Sequence, residues 1–411
     1  MARVNEDFLS LQSGYLFPEV ARRTKAWQEK HPGESVLRLG IGNTTEALTP
    51  YIVKSMHEKL DLLSNRDTYT GYGDEQGDAP LRAALRDMYK REYGVELDSE
   101  EFFVSDGAKA DAANIQQIFA RDSIVAVQDP AYPVYVDSNV AGGRSCGYDE
   151  EKGAYKGLVY MTCNSENGFV PAPPQSHVDL IYLCFPNNPT GGVATKAQLK
   201  EFVDYAMREN AIIIYDAAYS DYIREPGYVR TIYEVEGAEK CAIEINSFSK
   251  NAGFTGVRLG WTIVPFSLSS DNAPVGTIHR LWNRRQCTYF NGASNIAQCG
   301  GIAALSPEGR AECKGLVDYY LENARIIKSG LEEIGLKCYG GVNSPYVWVK
   351  TPHDMKSWDF FDYLLDKAHV VVTPGSGFGG AGEGYVRVSS YGHRENVEKA
   401  IKAIKESVHE H

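Results

Sequence analysis

The sequence predicts an α/β protein: a large, mostly parallel sheet lying between helices, with a smaller α+β part built from both ends of the chain. Three observations predict it. Four short, continuously apolar runs lie in the middle of the chain, and most stop on a polar or turn-forming residue. Amphipathic stretches separate several of these runs. The two ends have a different texture, with short strands and long helical patterns. Strands buried on both faces read as unbroken apolar runs, and strand–helix alternation is the mark of parallel pairing.

Each element has its reason. Phe17 to Lys30 reads as a helix, and Val36 to Leu39 as a short strand. Phe102 to Val104 is a strand, followed by a Gly-containing turn and a helix from about Ala110. Ser123 to Val127 is a buried strand ended by Asp129-Pro130. Asp179 to Phe185 is a second, ended by Pro186-Asn-Asn-Pro-Thr-Gly-Gly192. Thr195 is placed to cap a helix reaching Asn210. Ala211 to Tyr215 is a third buried strand, ended by Asp216, and Ala242 to Asn246 is a fourth. A helical pattern then runs to Ile334 from about residue 310, followed by strands at Tyr346–Val349, Val370–Val372 and Tyr385–Val388 and a helix over Glu395–Val408. This organisation predicts a large domain over residues 43–290 and a small one assembled from 1–42 and 291–411.

Composition narrows the function classes. The chain has 411 residues, 43% hydrophobic and 23% charged, enough to bury a large core without disulfides or metal staples. Lys plus Arg is 42 against 54 Asp plus Glu, a net charge of −12, which argues against nucleic-acid and anionic-membrane partners. An anionic ligand must be held by a local site. The eight cysteines form no C-x-x-C pair, so no metal ligand set is predicted, and most are expected to be small buried hydrophobes in a reducing cytosol. No apolar run is long enough for a membrane span and the first residues lack a leader's apolar run, so a cytoplasmic protein is expected.

In open α/β sheets ligands sit beyond the carboxyl ends of the strands. Ser105-Asp-Gly-Ala-Lys109 is a small turn before a helix, whose free N–H groups suit a phosphate, although many such turns are only turns. Tyr132, in Asp129-Pro-Ala-Tyr132-Pro, offers either a stiffened aromatic face or an ordinary half-buried ring. Asn188 sits in turn chemistry and can also donate to a ligand oxygen. Asp216 ends its strand either as a loop cap or as a ligand carboxylate, with Tyr219 three residues on. Lysines are ordinarily solvated, but Lys250 follows an apolar strand and precedes an apolar, Gly-rich loop, which points it into a pocket. A desolvated lysine near another cation has a lowered pKa and becomes a nucleophilic amine. Ser247, Ser249 and Arg258 would then give charge-assisted bonds to a phosphate.

The ordered set Tyr132, Asn188-Pro-Thr-Gly191, Asp216-x-x-Tyr219 and Ser247-x-Ser-Lys250 with Arg258 resembles the fold-type-I aminotransferases that use pyridoxal 5′-phosphate. The resemblance implies a seven-stranded-type sheet and assigns roles. Lys250 would be the Schiff-base lysine and proton shuttle, Asp216 would face the pyridine nitrogen, and Tyr219 and Asn188 would bond the 3′-oxygen. Tyr132 would stack on the ring. Ala108, Lys109, Ser247, Ser249 and Arg258 would surround the phosphate or its edge, and Arg387 would clamp the substrate α-carboxylate.

Gly40-Ile-Gly-Asn-Thr-Thr-Glu46, Gly71-Tyr-Gly-Asp-Glu-Gln-Gly77, Ser105-Asp-Gly-Ala-Lys109 and the run from Ser247 to Gly260 further resemble the LL-diaminopimelate aminotransferase family, the Ser105–Lys109 segment more specifically than Tyr72 or Gly77. That resemblance adds Tyr15, Gly42, Lys109, Tyr132, Asn188, Asn291 and Arg387 to the substrate pocket. Tyr72, Glu75 and Asn291 would come from the neighbouring subunit of a homodimer, with Tyr72 and Asn291 also binding the cofactor and Glu75 the substrate. Lys109 and Glu75 would read the distal carboxylate and ammonium of the substrate. The chain departs from the pattern at Ala47, where proline is expected, and at Ala110, where cysteine is expected. The implied substrates are small amino acids and 2-oxo acids. A C–S lyase on the same scaffold, or an aminotransferase preferring dicarboxylic or aromatic substrates, would use the same core residues. A non-catalytic relative would have little need of an intact Lys250 and Asp216.

Overall fold

The computed structural model describes residues 1–12 and 16–408; Tyr15 lies outside the described residues. Helices α1 (Glu6–Leu9) and α2 (Leu16–Lys30) precede strand β1 (Leu37–Arg38) and helices α3 (Pro50–Ser64) and α4 (Ala79–Tyr93). Then come β2 (Phe102–Ser105), α5 (Ala108–Asn114), β3 (Val125–Asp129), α6 (Val134–Asn139), and the short β4 (Tyr148–Asp149) and β5 (Ala154–Tyr155). The middle continues with β6 (Leu158–Thr162), β7 (Leu180–Cys184), α7 (Lys196–Glu209), β8 (Ile212–Asp216), β9 (Ala242–Ser247) and β10 (Gly260–Ile263). Next are α8 (Thr277–Tyr289), α9 (Asn295–Leu305) and α10 (Pro307–Glu332). The chain closes with β11 (Cys338–Gly340), β12 (Tyr346–Lys350), α11 (Ser357–Ala368), β13 (Val370–Val371), β14 (Thr373–Pro374), β15 (Tyr385–Ser389) and α12 (Arg394–Val408).

The main sheet has seven strands in the order β2-β10-β9-β8-β7-β3-β6. Strands β6, β3, β7, β8 and β9 run parallel. Strand β10 is antiparallel to both β9 and β2. The reason is local: the chain reverses between Ser247 and Gly260 through turns alone, with no crossover helix, and only a crossover could make β10 parallel. Burial on both faces explains the apolar runs. Ile212 and Ile214 enter one core while Ile213 and Tyr215 enter the other. Burying each such side chain contributes about 1.5–3 kcal/mol. Thr195 caps α7 as expected, its hydroxyl accepting from the Gln198 N–H, and the helix ends at Asn210 in the left-handed region.

The chain ends meet in a second region. Strand β1 pairs in parallel with β13, and β11, β12, β15 and β14 form an antiparallel sheet. Trp27 and Leu39 from the N-terminal segment pack with Ile327, Val347, Phe361 and Ile401. Helix α10 joins the two regions: Val317 and Tyr320 lie in the core of the main sheet, and Ala324 and Ile327 in this second core. All eight cysteines are unpaired. Four are buried, but Cys146 and Cys287 are exposed, against the expectation that most are core residues; Cys146 sits on a left-handed loop turn rather than on a strand. No helix among the described residues is long and apolar enough to cross a membrane.

Candidate active site

The carboxyl ends of five strands converge on one cavity of about 400 Å³. Strand β2 leads into Ala108 and Lys109, β3 into Tyr132, β7 into Asn188, β8 ends at Asp216, and β9 runs through Ser247 and Ser249 into Lys250. This is where the physics of an open parallel sheet places a ligand. Gly42, Arg258 and Arg387 complete the wall. Twelve of the residues singled out from sequence therefore share one cavity.

The Lys250 side chain is half-buried; its amine donates to the Gly42 carbonyl and lies 5.3 Å from the centre of the Tyr391 ring. Burial first, then Arg387 and Arg258, pull its pKa down to about 7. A substantial fraction is therefore neutral and nucleophilic at neutral pH. Asp216 is also buried. Its Oδ2 accepts from the Tyr135 hydroxyl at 2.7 Å and its Oδ1 from the Ala218 N–H at 3.0 Å. Burial lifts this carboxyl above its ordinary range. A buried carboxylate under that pressure favours a cationic or N–H partner.

Arg387 is only 1% exposed and sits on β15. Its Nη1 donates to Asn188 Oδ1 at 2.7 Å, its Nη2 to the Gly40 carbonyl at 2.6 Å, and its Nε has no partner. Its guanidinium stacks 4.3 Å from the Tyr346 ring centre. No carboxylate among the described residues pairs with it, so a buried fork faces the cavity uncompensated. The Tyr219 and Tyr346 hydroxyls lie 2.9 Å apart. Burial raises Tyr132 to about 12, so that ring stays neutral.

The opposite end of the cavity is built around Gly107. It adopts φ 134°, ψ 153°, and a Cβ there would run into the Arg258 guanidinium. Glycine is what lets Arg258 lie over the first turn of α5. Arg258 Nη1 donates to Ser249 Oγ at 3.3 Å, and the Ser249 N–H donates to Ser247 Oγ at 3.0 Å. Ser105 does not face this end; its hydroxyl donates to Asp111 at 2.6 Å and accepts from the Gly107 N–H, bracing the turn from behind.

Sequence reasoning missed several lining residues: Phe17, Tyr135, Thr255 and Tyr346. Tyr135 was within reach, since it lies one helical turn after Tyr132. Nothing in the sequence links Tyr346 to Tyr219. Three expected residues are elsewhere. Tyr72 is 87% exposed, Asn291 is exposed and Glu75 half-buried, and none lines the cavity. Glu75 and the segment after Asn291 nevertheless meet: Gly292 packs against the main chain of Asp74 and Glu75. Among the described residues no cluster could hold a metal ion.

This fold and site define a pyridoxal 5′-phosphate-dependent aminotransferase. The sequence model of the class I and II aminotransferases matches residues 34–404, and the chain belongs to that family. It is similar to the L,L-diaminopimelate aminotransferase of Chlamydomonas reinhardtii, at 48% identity over 98% of each chain and a TM-score of 0.93. It is also similar to substrate-bound BacF from Bacillus subtilis (28% identity, 99% of this chain and 98% of that one, TM-score 0.83). An aromatic aminotransferase from Pyrococcus horikoshii follows at 25% identity, with 94% and 99% covered and a TM-score of 0.79.

The residues present fit the cofactor. Lys250 offers a cavity-lining amine of lowered pKa for its aldehyde and Asp216 a buried carboxylate for its ring nitrogen. The Gly107 cradle, the start of α5, Ser249 and Arg258 form a cationic end suited to its phosphate.

Proposed function

We propose that this chain transfers an amino group between LL-2,6-diaminopimelate and 2-oxoglutarate, giving L-2,3,4,5-tetrahydrodipicolinate, L-glutamate and water. The observation that carries the reading is the pairing, in one cavity, of a neutralisable Lys250 with the uncompensated Arg387 fork, in a chain 48% identical to a diaminopimelate aminotransferase.

Each residue has a task. Arg387 binds the substrate α-carboxylate through its planar fork, a geometry lysine cannot copy. That bond orients the substrate so that its Cα proton faces Lys250. When bound, the cofactor supplies the electron sink that makes this proton removable. Lys250 would hold the cofactor at rest, and its freed Nζ would carry a proton between the substrate Cα and the cofactor C4′. Asp216 keeps the ring nitrogen protonated, itself fixed by Tyr135 and the Ala218 N–H. Tyr219 and the amide of Asn188 bond the ring oxygen, and Tyr132 covers the ring face. Ala108, Lys109, Ser247, Ser249 and Arg258 hold the phosphate or its edge.

Tyr72, Glu75 and Asn291 act in the cavity of a second copy. Glu75 lies against α8, whose Gln286 side chain donates to its carbonyl, and Tyr72 and Asn291 are exposed, which supports their reaching a second copy. Tyr15 and Gly42 contribute to the substrate pocket, Lys109 reads the distal carboxylate and Glu75 the distal ammonium. The division at residues 43–290 belongs to the same proposal, supported by the pairing of β1 with β13 and by a second core of their own.

The test mixes the cofactor-loaded protein with LL-diaminopimelate or with the meso isomer and follows cofactor absorbance. Conversion to the pyridoxamine form by the LL isomer, reversed by 2-oxoglutarate, is expected. Release of pyruvate and ammonia from a β-thio amino acid such as L-cystathionine, without any 2-oxo acid, would instead make it a C–S lyase.

A further inference from the structure

The cavity wall carries Asp216 and Tyr219 on one short stretch of chain, and that stretch continues into the turn Ser220–Tyr222. This turn does more than end the strand. The Tyr222 hydroxyl donates to the Lys250 carbonyl at 3.2 Å. The side chain of Asn251, next to the lysine, donates to Asp221 Oδ2 at 2.5 Å. The backbone on both sides of the Lys250–Asn251 peptide is thus tied to the turn that follows Asp216 and Tyr219.

The turn itself is anchored from outside. Arg310 in the first turn of α10 grips both oxygens of Asp221, at 2.9 and 3.0 Å. The same guanidinium grips both oxygens of Glu92 on α4, at 3.0 and 2.6 Å. Burial alone would raise Asp221, yet Arg310 and Asn251 together hold it below its ordinary range. A bidentate Arg between two carboxylates is among the stiffest polar links available. No atom of Asp221, Tyr222, Asn251 or Arg310 lines the active cavity.

We propose that Asp221, Tyr222, Asn251 and Arg310 form a positioning device, which fixes the Lys250 main chain relative to Asp216 and Tyr219 and so sets where the lysine amine sits. The proposal rests on Lys250 being the cofactor-bearing lysine. It is positional rather than electrostatic: the groups that depress the Lys250 amine are its burial, Arg387 and Arg258, and Asp221 is not one of them. A shift of the main chain would move the amine out of that environment and out of line with the substrate Cα. Misplacement by about 1 Å can cost on the order of a hundredfold in rate.

The experiment compares wild type with Tyr222→Phe, Asn251→Ala and the double variant. These remove the two ties while leaving Asp221 paired with Arg310, so no buried charge is orphaned. Two quantities are read: kcat and KM for the amino donor, and, on cofactor-free protein, the pH midpoint of Lys250 acylation followed by peptide mass spectrometry. In the double variant kcat should fall about tenfold or more with KM within about twofold. The acylation midpoint should rise by about half a unit or more from its wild-type position near 7, as the amine gains solvent. Lys314→Ala, which loses only a salt bridge to Asp318 on the exposed side of α10, should leave both at wild type. A double variant with unchanged kcat and midpoint would overturn the proposal. So would a lower kcat with an unmoved midpoint, which marks a merely structural role. Should the double variant fail to fold, Tyr222→Phe alone, which removes one oxygen, decides by the same two readings. Wild-type protein whose Lys250 takes up no cofactor would instead refute the underlying assignment.

Discussion

Replacing Gly107 by alanine tests the phosphate end of the site with one methyl group. At φ 134°, ψ 153° the residue lies in backbone space that only glycine enters freely, and forcing alanine there costs about 1–3 kcal/mol. The new Cβ would also meet the Arg258 guanidinium, with Cζ at 3.0 Å, so Arg258 must leave its position. Losing its charge-assisted bond to the phosphate removes about 1.5–3 kcal/mol from cofactor binding, or about 10- to 150-fold in Kd. The assay is a cofactor titration of the apo-protein followed by absorbance, with a thermal melt of the same sample. Gly94→Ala is the control. That glycine also has positive φ, at 68°, but open space around it, so the variant should lose about 1 kcal/mol of stability and no cofactor affinity. A Gly107→Ala protein that binds cofactor within about threefold of wild type would refute the assignment of this cradle.

Other outcomes follow from the same geometry. Arg387→Lys keeps the charge but not the fork, and should lower kcat/KM for every amino donor by about 10- to 150-fold, measured by steady-state kinetics. The rate at which apo-protein captures cofactor should rise as pH increases through about 7 and level off above it, because the neutral Lys250 amine is the nucleophile; stopped-flow capture that is flat between pH 6 and 8 would contradict the depressed lysine. Glu75→Gln should weaken diaminopimelate far more than glutamate, and equal losses in the two KM values would remove Glu75 from distal recognition. Mixing inactive Lys250→Ala with inactive Tyr72→Ala should restore about one site in four, because a shared dimer pairs an intact lysine with an intact tyrosine; no recovery after subunit exchange would place Tyr72 outside the neighbouring site.

The legible part of this molecule was what local rules decide. The buried strands showed as unbroken apolar runs because both of their faces are covered, and the cap at Thr195 showed because capping is a few-residue affair. Strand β10 escaped because Gly260-Trp-Thr-Ile263 is short and its direction is set by the turn before it, not by its own composition. Edge strand β6 escaped because its half-exposed residues dilute the apolar signal. The site was legible wherever its residues sit at strand ends, as Asp216 and Lys250 do. It was illegible where function depends on contacts between distant segments. The meeting of Tyr219 with Tyr346, and of Asn188 with Arg387, joins positions over a hundred residues apart, and no spacing rule reaches across a fold.

Borohydride reduction of the loaded protein followed by peptide mapping tests most directly whether Lys250 carries the cofactor. A single stable adduct, with the mass of the reduced cofactor, is predicted on the peptide containing Lys250 and on no other. Reduction that leaves that peptide unmodified, or that marks a different lysine, would contradict it.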